Sequence, residues 1–371
     1  MTKPTAVSDN DYFSAYAEQA RRSFTTEGTM IALATCFPGA STMIPADESL
    51  ITSLDISDTS HVYGGTSGRL SHLFVGMFHG LTGFVFDIGS IEGAVHCPAV
   101  CCGQEKLIAC LNGPSGGRIV TTKLQTPPFD CIQEWFMHRD PIDDWGEPVP
   151  GQKLQHAVAD AARETCVGLT ANHLFCIDFE SGNIEIVAEV NASGRLAVGP
   201  NGNIWGIESN GALFCLEPGS RKLTRNALNL PKGRWDAGDR CWGKDASDGK
   251  LYIADDDGVL FTFNGQAGFS DPLGKTPVAG VGAMAATFDG RLYGICGSGI
   301  GRMFRYHPQT QTIQDLGVAV SVINRRRYGY EFSQAVVGRD GQIFFGENDN
   351  LGHLWIYIPR IQRSSEQHSL K

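Results

Sequence analysis

The chain predicts an all-β fold, a single seven-bladed β-propeller, on three observations. An apolar–bend–apolar unit recurs along its 371 residues, Asn-Gly or Asp-Gly turns precede four of the units, and glycine is abundant at 45 residues. "HVYGGTSGRLSHLF" (His61 to Phe74), "LYGICGSGIGRMF" (Leu292 to Phe304) and "IFFGENDNLGHLW" (Ile343 to Trp355) are visibly the same unit. A unit of about 40 to 45 residues holding four short strands is a propeller blade.

The blades follow from aligning the residue before each bend. The anchors are Tyr63, Ile108, Val167, Trp205, Tyr252, Tyr293 and Phe344, at intervals of 45, 59, 38, 47, 41 and 51 residues. A second apolar group follows each: HLF, RIV, HLF, ALF, VLF, RMF and HLW. Upstream turns at Asn201, Asp248, Asp289 and Asp340, each followed by glycine, mark two-residue hairpins, because both central positions favour positive φ. A β-sandwich pair or a solenoid is the alternative to such a repeat.

The last blade, built from Glu331 to Arg360, supplies three strands before a polar tail at residues 362–371. "TMIALATCF" (Thr29 to Phe37) is the expected donor of its outer strand, which would close the ring and hide an edge. Residues 1–28 read as a short polar helical segment, and residues 29–361 as one propeller domain.

Composition narrows the function classes. A net charge of −10 argues against a nucleic-acid partner, since phosphate binding needs a basic surface. The start lacks a charged-then-apolar leader, and "TMIALATCF" is too short to span a bilayer, so no membrane span and a cytoplasmic location are expected. Eleven cysteines fall mostly in apolar strand-like runs, where a thiol is a small buried hydrophobe, and "CPAVCC" (Cys97, Cys101, Cys102) lacks a zinc-type pair. Free thiols and no metal site are expected.

Candidate chemistry gathers on the face where the inner strands begin, opposite the monotonous Asp-Gly turns, because irregular loops on a rigid scaffold carry function. One insert brings Trp135, His138, Arg139, Trp145 and His156; a second brings Arg234, Trp235, Arg240, Trp242 and Lys244; a third brings Arg325 to Arg327, Tyr328, Tyr330 and Glu331. His96 lies at the second blade's inner strand, and Arg69, Asn348 and Asp349 lie in bends. Arg240, Trp242 and Lys244 alternate, so one strand would turn all three to the channel. The candidate site residues are Arg240, Lys244, Trp242, Tyr330, His96 and His156. Trp135 and Trp145 are expected as a lid over the barrel end, whereas His61, His72, His353, Trp205 and Trp355 read as structural. His79 falls on the opposite face.

Motifs that fail complete the reading. "GICGSGIGR" precedes a strand rather than a helix, so it is a hairpin bend and not a dinucleotide loop. "ADDDG" (Asp255 to Gly258) lacks a calcium loop's twelfth-position glutamate; that place is Gln266. With no phosphate loop, GxSxG or HExxH, no cofactor is expected.

The end blocks "VYGGTSGRLSHLF" and "GYEFSQAVVGRDGQIFFGENDNLGHLWIYIPRI" resemble fungal seven-bladed propeller proteins that include hetero-Diels–Alderases of tropolone–sesquiterpenoid biosynthesis, and more distantly propeller polysaccharide lyases. The resemblance spans nearly the whole chain but rests on blade elements, so it implies fold more than activity. It implies a cofactor-independent pericyclase of secondary metabolism acting on small apolar organic substrates, and it brings no catalytic residue with it. Such chemistry needs an apolar, aromatic wall and a hydrogen-bond donor, for which Trp235, Trp242 and Tyr330 suit the wall and Arg240 or Lys244 the donor. The lyase alternative cleaves uronic-acid linkages by β-elimination, with His96 or His156, Tyr330 and Arg240 as base, acid and cation. A non-catalytic binding scaffold is the third reading.

Overall fold

A computed structural model describes residues 27–35, 44–79, 82–124, 140–160, 164–192, 194–217, 221–231, 233–235, 240–321 and 328–359. The expected N-terminal helix, the C-terminal tail, Trp135, His138, Arg139 and Arg325 to Arg327 lie outside the described residues. Seven antiparallel sheets stand around one axis. Their innermost strands are Leu50–Ile56, His96–Cys102, Leu154–Asp160, Ala197–Val198, Trp242–Lys244, Val281–Ala286 and Phe332–Val337, in blades 1 to 7. Six sheets have four strands; in blade 5 the outer strand is split into Gly268–Phe269 and Gly274–Lys275, both paired with Val259–Asn264. In blade 7 the outermost strand is Gly28–Ala34, antiparallel to His353–Pro359 from Gly28 opposite Pro359 to Ala34 opposite His353.

The core is divided among the seven blade interfaces, one apolar cluster to each, with Ile51, Leu54 and Phe74 meeting Phe344, Leu354 and Ile356 between blades 1 and 7. The sequence repeat is the signature of these interfaces. Each anchor on a second strand faces the following blade: Tyr63 packs toward blade 2 and Trp205 toward blade 5. The next residue points the other way, as strand alternation requires. In four blades it is a glycine, and the phenylalanine opposite it on the third strand lies across it: Gly64–Phe74, Gly168–Phe175, Gly206–Phe214 and Gly294–Phe304. A Cβ at Gly206 would stand 2.1 Å from Phe214, and at Gly168 2.2 Å from Phe175. The glycine leaves room for a ring that then packs flush against the preceding blade.

The hairpins carry longer loops than the two-residue turns expected: of each central pair only the glycine has positive φ, and its amide bonds back to the carbonyl three residues earlier, or four at Gly249. Gly202, Gly249, Gly290 and Gly341 have φ between 72° and 80°, in the left-handed region that glycine enters without steric cost. Two of the bends on the opposite face are held by buried carboxylates at the end of the second strand. Glu347 accepts hydrogen bonds from the Tyr330 amide (2.8 Å), the His353 amide and the Trp355 Nε1 (both 3.1 Å), and Asp255 accepts from the Val259 amide at 2.7 Å. His61, His72, His353, Trp205 and Trp355 are buried, as expected of structural residues. His72 bridges Glu48 (2.8 Å) and Asp87 (3.1 Å); burial opposes its charge, but these carboxylates outweigh burial and hold its pKa above the ordinary histidine value. The nine described cysteines carry free thiols.

Two expectations are corrected here. Trp145 is not a lid: it sits on the strand Asp143–Gly146, outermost in blade 2 and three strands from the axis, with the Lys106 ammonium 5.4 Å from its ring. Trp235 is not a channel wall. It is buried among Phe261 and Phe269 and donates its Nε1 to the Ala254 carbonyl at 2.8 Å.

Gly206→Ala is expected to lower unfolding free energy by about 1–3 kcal/mol, the usual cost of overpacking a filled core. The double variant Gly206→Ala/Phe214→Leu should recover part of that loss in denaturant titrations. A neutral single variant would show that the ring and glycine are not packed as described.

Candidate functional site

The upper end of the channel, where the inner strands begin, is shaped by repeated β-bulges. In blades 1, 3 and 7 the ladder register skips one residue: Thr52, Gln155 and Ser333 respectively. A bulge re-aims the unpaired residue, and all three line a cavity of about 510 Å³ at the channel mouth. The bulges are tied to one another around the rim. Ser333 Oγ donates to the Ile51 carbonyl at 2.7 Å, and Arg195, from the loop leading into blade 4, donates to the Ser333 carbonyl at 2.6 Å across the mouth.

His96 and His156 line this same cavity. The Leu196 amide donates to His156 Nδ1 at 3.2 Å, so the neutral ring carries its proton on Nε2. His96 Nδ1 lies 2.6 Å from Ser67 Oγ. Burial, and then the Lys153 charge, push the His96 pKa below the ordinary value, which keeps the ring neutral at physiological pH.

Below the mouth, Pro98, His156 and Gln334 continue into a second cavity of about 470 Å³ inside the channel. Aliphatic residues such as Leu54, Val100, Val158 and Leu251 share its wall with polar ones, Ser53, Asp55, Asp58, His156, Lys244 and Gln334. Trp242 and Lys244 line it together, as alternate residues of one short strand should. The Trp242 ring also stacks edge-on against Phe263, with centroids 5.7 Å apart, and its Nε1 is buried with no hydrogen-bond partner. Burial lowers the Lys244 pKa, partly offset by the Asp55 charge.

Asp55 is the residue that sequence reasoning missed. It lies in the same wall, its oxygens accepting hydrogen bonds from the Ile56 (2.9 Å) and Cys102 (2.7 Å) amides. Burial raises its pKa to about 6, against the lowering effect of those amides and of Lys244. Its signal was one aspartate in "SLDIS", an inner strand otherwise without charge. Arg195, in "ASGRLAV", was missed for the same reason: a lone cation in a short loop.

Of the six candidates, His96, His156, Trp242 and Lys244 are therefore gathered along one continuous path. Arg240 and Tyr330 line neither cavity. Strand geometry begins only at Trp242, so the alternation expected of Arg240 fails; it turns to the Trp235 carbonyl at 3.5 Å. Tyr330 forms a bridge to Ile300 between blades 6 and 7. Asn348, in a bend, joins the mouth lining, whereas Arg69, 67% exposed, pairs with Glu48 at 2.6 Å. Among the described residues no group of three histidine, cysteine or carboxylate side chains is placed to hold a metal, and no helix is long and apolar enough to cross a membrane.

Comparison with known proteins yields the class and no more. No family model and no curated protein sequence matches. Solved structures do: YCF48 bound to D1 peptide (TM-score 0.58, 12% identity, 90% of this chain and 98% of that one) and the WD40 β-propeller domain of Doa1 (0.54, 13%, 89% and 99%). The extracellular domain of a putative one-component system from B. thetaiotaomicron also matches (0.55, 13%), over 92% of this chain, which spans 40% of that domain. At such identities the likeness shows the fold alone: the chain is a seven-bladed β-propeller.

The channel pair yields a titration. The Asp55 carboxyl, followed by carbon NMR, should titrate with a midpoint near the raised value of about 6. In Lys244→Met the midpoint should move further up, because a favourable charge is lost. A midpoint at the ordinary carboxylate value, unmoved by Lys244→Met, would contradict the burial of Asp55 and the influence of the Lys244 charge.

Proposed function

We propose that the chain is a cofactor-independent pericyclase, a hetero-Diels–Alderase that joins an electron-poor enone of the tropolone or quinone-methide type to a terpene alkene within the channel. The reading is carried by one observation: a cavity of about 470 Å³ in which aliphatic side chains line roughly half the wall and one strand presents both the cation Lys244 and Trp242, whose indole N–H has no partner. That volume suits a small organic ligand held by an apolar wall and few polar contacts. A cycloaddition needs its partners fixed in near-attack geometry, which the wall supplies. It gains further from donors aimed at the enone oxygen as negative charge builds there. Lys244 fills that role in place of Arg240, and the buried indole N–H, costly while unmet, is a second donor for the same oxygen.

A non-catalytic scaffold is the second reading, favoured by the mouth. Hydrogen-bonding side chains ring it, including Gln155, Ser209, Ser333 and Asn348. YCF48, similar in fold, is solved with a bound peptide.

The test is the rate of ring closure with an enone and an alkene of these classes. Lys244→Met should cost about 10- to 1000-fold, the scale of losing one donor to a developing oxyanion, and Trp242→Phe a smaller factor with the ring retained. The wild-type rate should vary little between about pH 7 and 8, because no proton transfer is required. No acceleration over the uncatalysed reaction would remove the pericyclase reading and leave the scaffold. Unsaturated uronates released from an acidic polysaccharide, with a bell-shaped pH profile, would establish the lyase instead.

A further inference from the structure

The mouth cavity carries a second site, and its hydrogen bonds fix its polarity. Thr52 Oγ1 lies 2.8 Å from the Cys97 carbonyl and 2.9 Å from Ser67 Oγ. A carbonyl only accepts, so the single hydroxyl proton of Thr52 goes to Cys97. Ser67 must then donate its own proton to Thr52, which leaves Ser67 as acceptor toward His96 Nδ1 at 2.6 Å. His96 therefore holds its proton on Nδ1, and its Nε2 carries a lone pair. That tautomer is opposite to the one the Leu196 amide imposes on His156.

A second acceptor stands in the same lining. Gln155 Oε1, on the bulge of blade 3, is buried without a hydrogen-bond partner. The surrounding charge is positive: Arg195 lines the cavity, and the field of Lys153 acts on His96. Acceptors alone would suit an ammonium as well as a hydroxyl. Acceptors in a positive field exclude the ammonium and select an acidic hydroxyl, whose oxyanion offsets the charge that the imidazole gains.

We propose that the mouth of the propeller is a proton-accepting site for an acidic hydroxyl, a phenol or an enol, in which His96 Nε2 takes the proton and the positive rim holds the resulting oxyanion. The transfer balances without a co-reactant: the O–H bond breaks, its electron pair stays on oxygen, and the proton forms the new N–H bond at Nε2. Thr52 and Ser67 are positioning residues that set the ring's tautomer. The site lies above the channel pair of Trp242 and Lys244, so it stands whether or not the pericyclase reading does.

The experiment uses the full chain with ¹⁵N-labelled histidine and 4-nitrophenol as probe. Wild-type His96 should show the Nδ1–H tautomer, and both Ser67→Ala and Thr52→Val should shift it toward Nε2–H; two variants guard against one that fails to fold. Millimolar 4-nitrophenol should shift the His96 signal and raise the phenolate absorption of the bound probe, below the pH at which it ionises free in solution. The phenolate band should fall at least severalfold in Ser67→Ala and Thr52→Val. A wild-type His96 in the Nε2–H form overturns the proposal. So does a probe that leaves the His96 signal unmoved, or that ionises equally in wild type and variants.

Discussion

The alternation of an anchor and a void along each second strand is the constraint on which this structure depends. Tyr63, Trp205 or Tyr293 fills the interface ahead, while Gly64, Gly206 or Gly294 admits a phenylalanine of the third strand to the interface behind. Each interface is thus filled from both blades, and every blade is sandwiched between two such layers. A ring built this way has no single centre to its core. Close packing is nevertheless required everywhere, because interiors hold few voids. Where the glycine is absent the pairing varies: Phe345 stands opposite Trp355 in blade 7 and Ala109 opposite Val120 in blade 2, while in blade 5 Ile253 still faces Phe261.

That packing frees the inner strands to serve the axis. Blades 1, 3 and 7 each spend one residue on a bulge at the mouth, and Thr52, Gln155 and Ser333 gain positions that an unbroken ladder would not give them. Lower down, regular alternation resumes and sets Trp242 with Lys244 in the channel, in a cavity they share with Asp55. Two environments follow from one set of strands: a polar, electropositive mouth and a channel where aliphatic side chains share the wall with Ser53, Asp55, Asp58, Trp242 and Lys244. A neutral His96 above and a cation below mean that a substrate entering from the mouth meets an acceptor first and donors second.

Much of the fold was legible because period-2 alternation and Asp-Gly turns are local facts, repeated seven and four times over. The site was only partly so. His96, His156, Trp242 and Lys244 were found because they stood near strand starts, where side chains must meet at the axis. Arg240 was placed in the channel on an alternation that requires a strand, and the strand starts two residues later. Trp145 and Trp235 were assigned by residue type in long inserts, yet tryptophan serves outer edges and cores equally well. Asp55 and Arg195 gave no sign, because a lone charge has no pattern; its role comes from what lies across the channel. The bulges were invisible for a related reason: an extra residue in a ladder shows only once its partner strand is known.

We place the proposed cycloaddition between Trp242 and Lys244 inside the ring. A crystal structure with a bound tropolone-type enone tests it most directly. The claim predicts the ligand inside the channel cavity, its carbonyl oxygen within hydrogen-bonding reach of Lys244 Nζ and the Trp242 indole N–H turned to the same atom. A ligand seated elsewhere on the molecule, with the channel left to solvent, would contradict it.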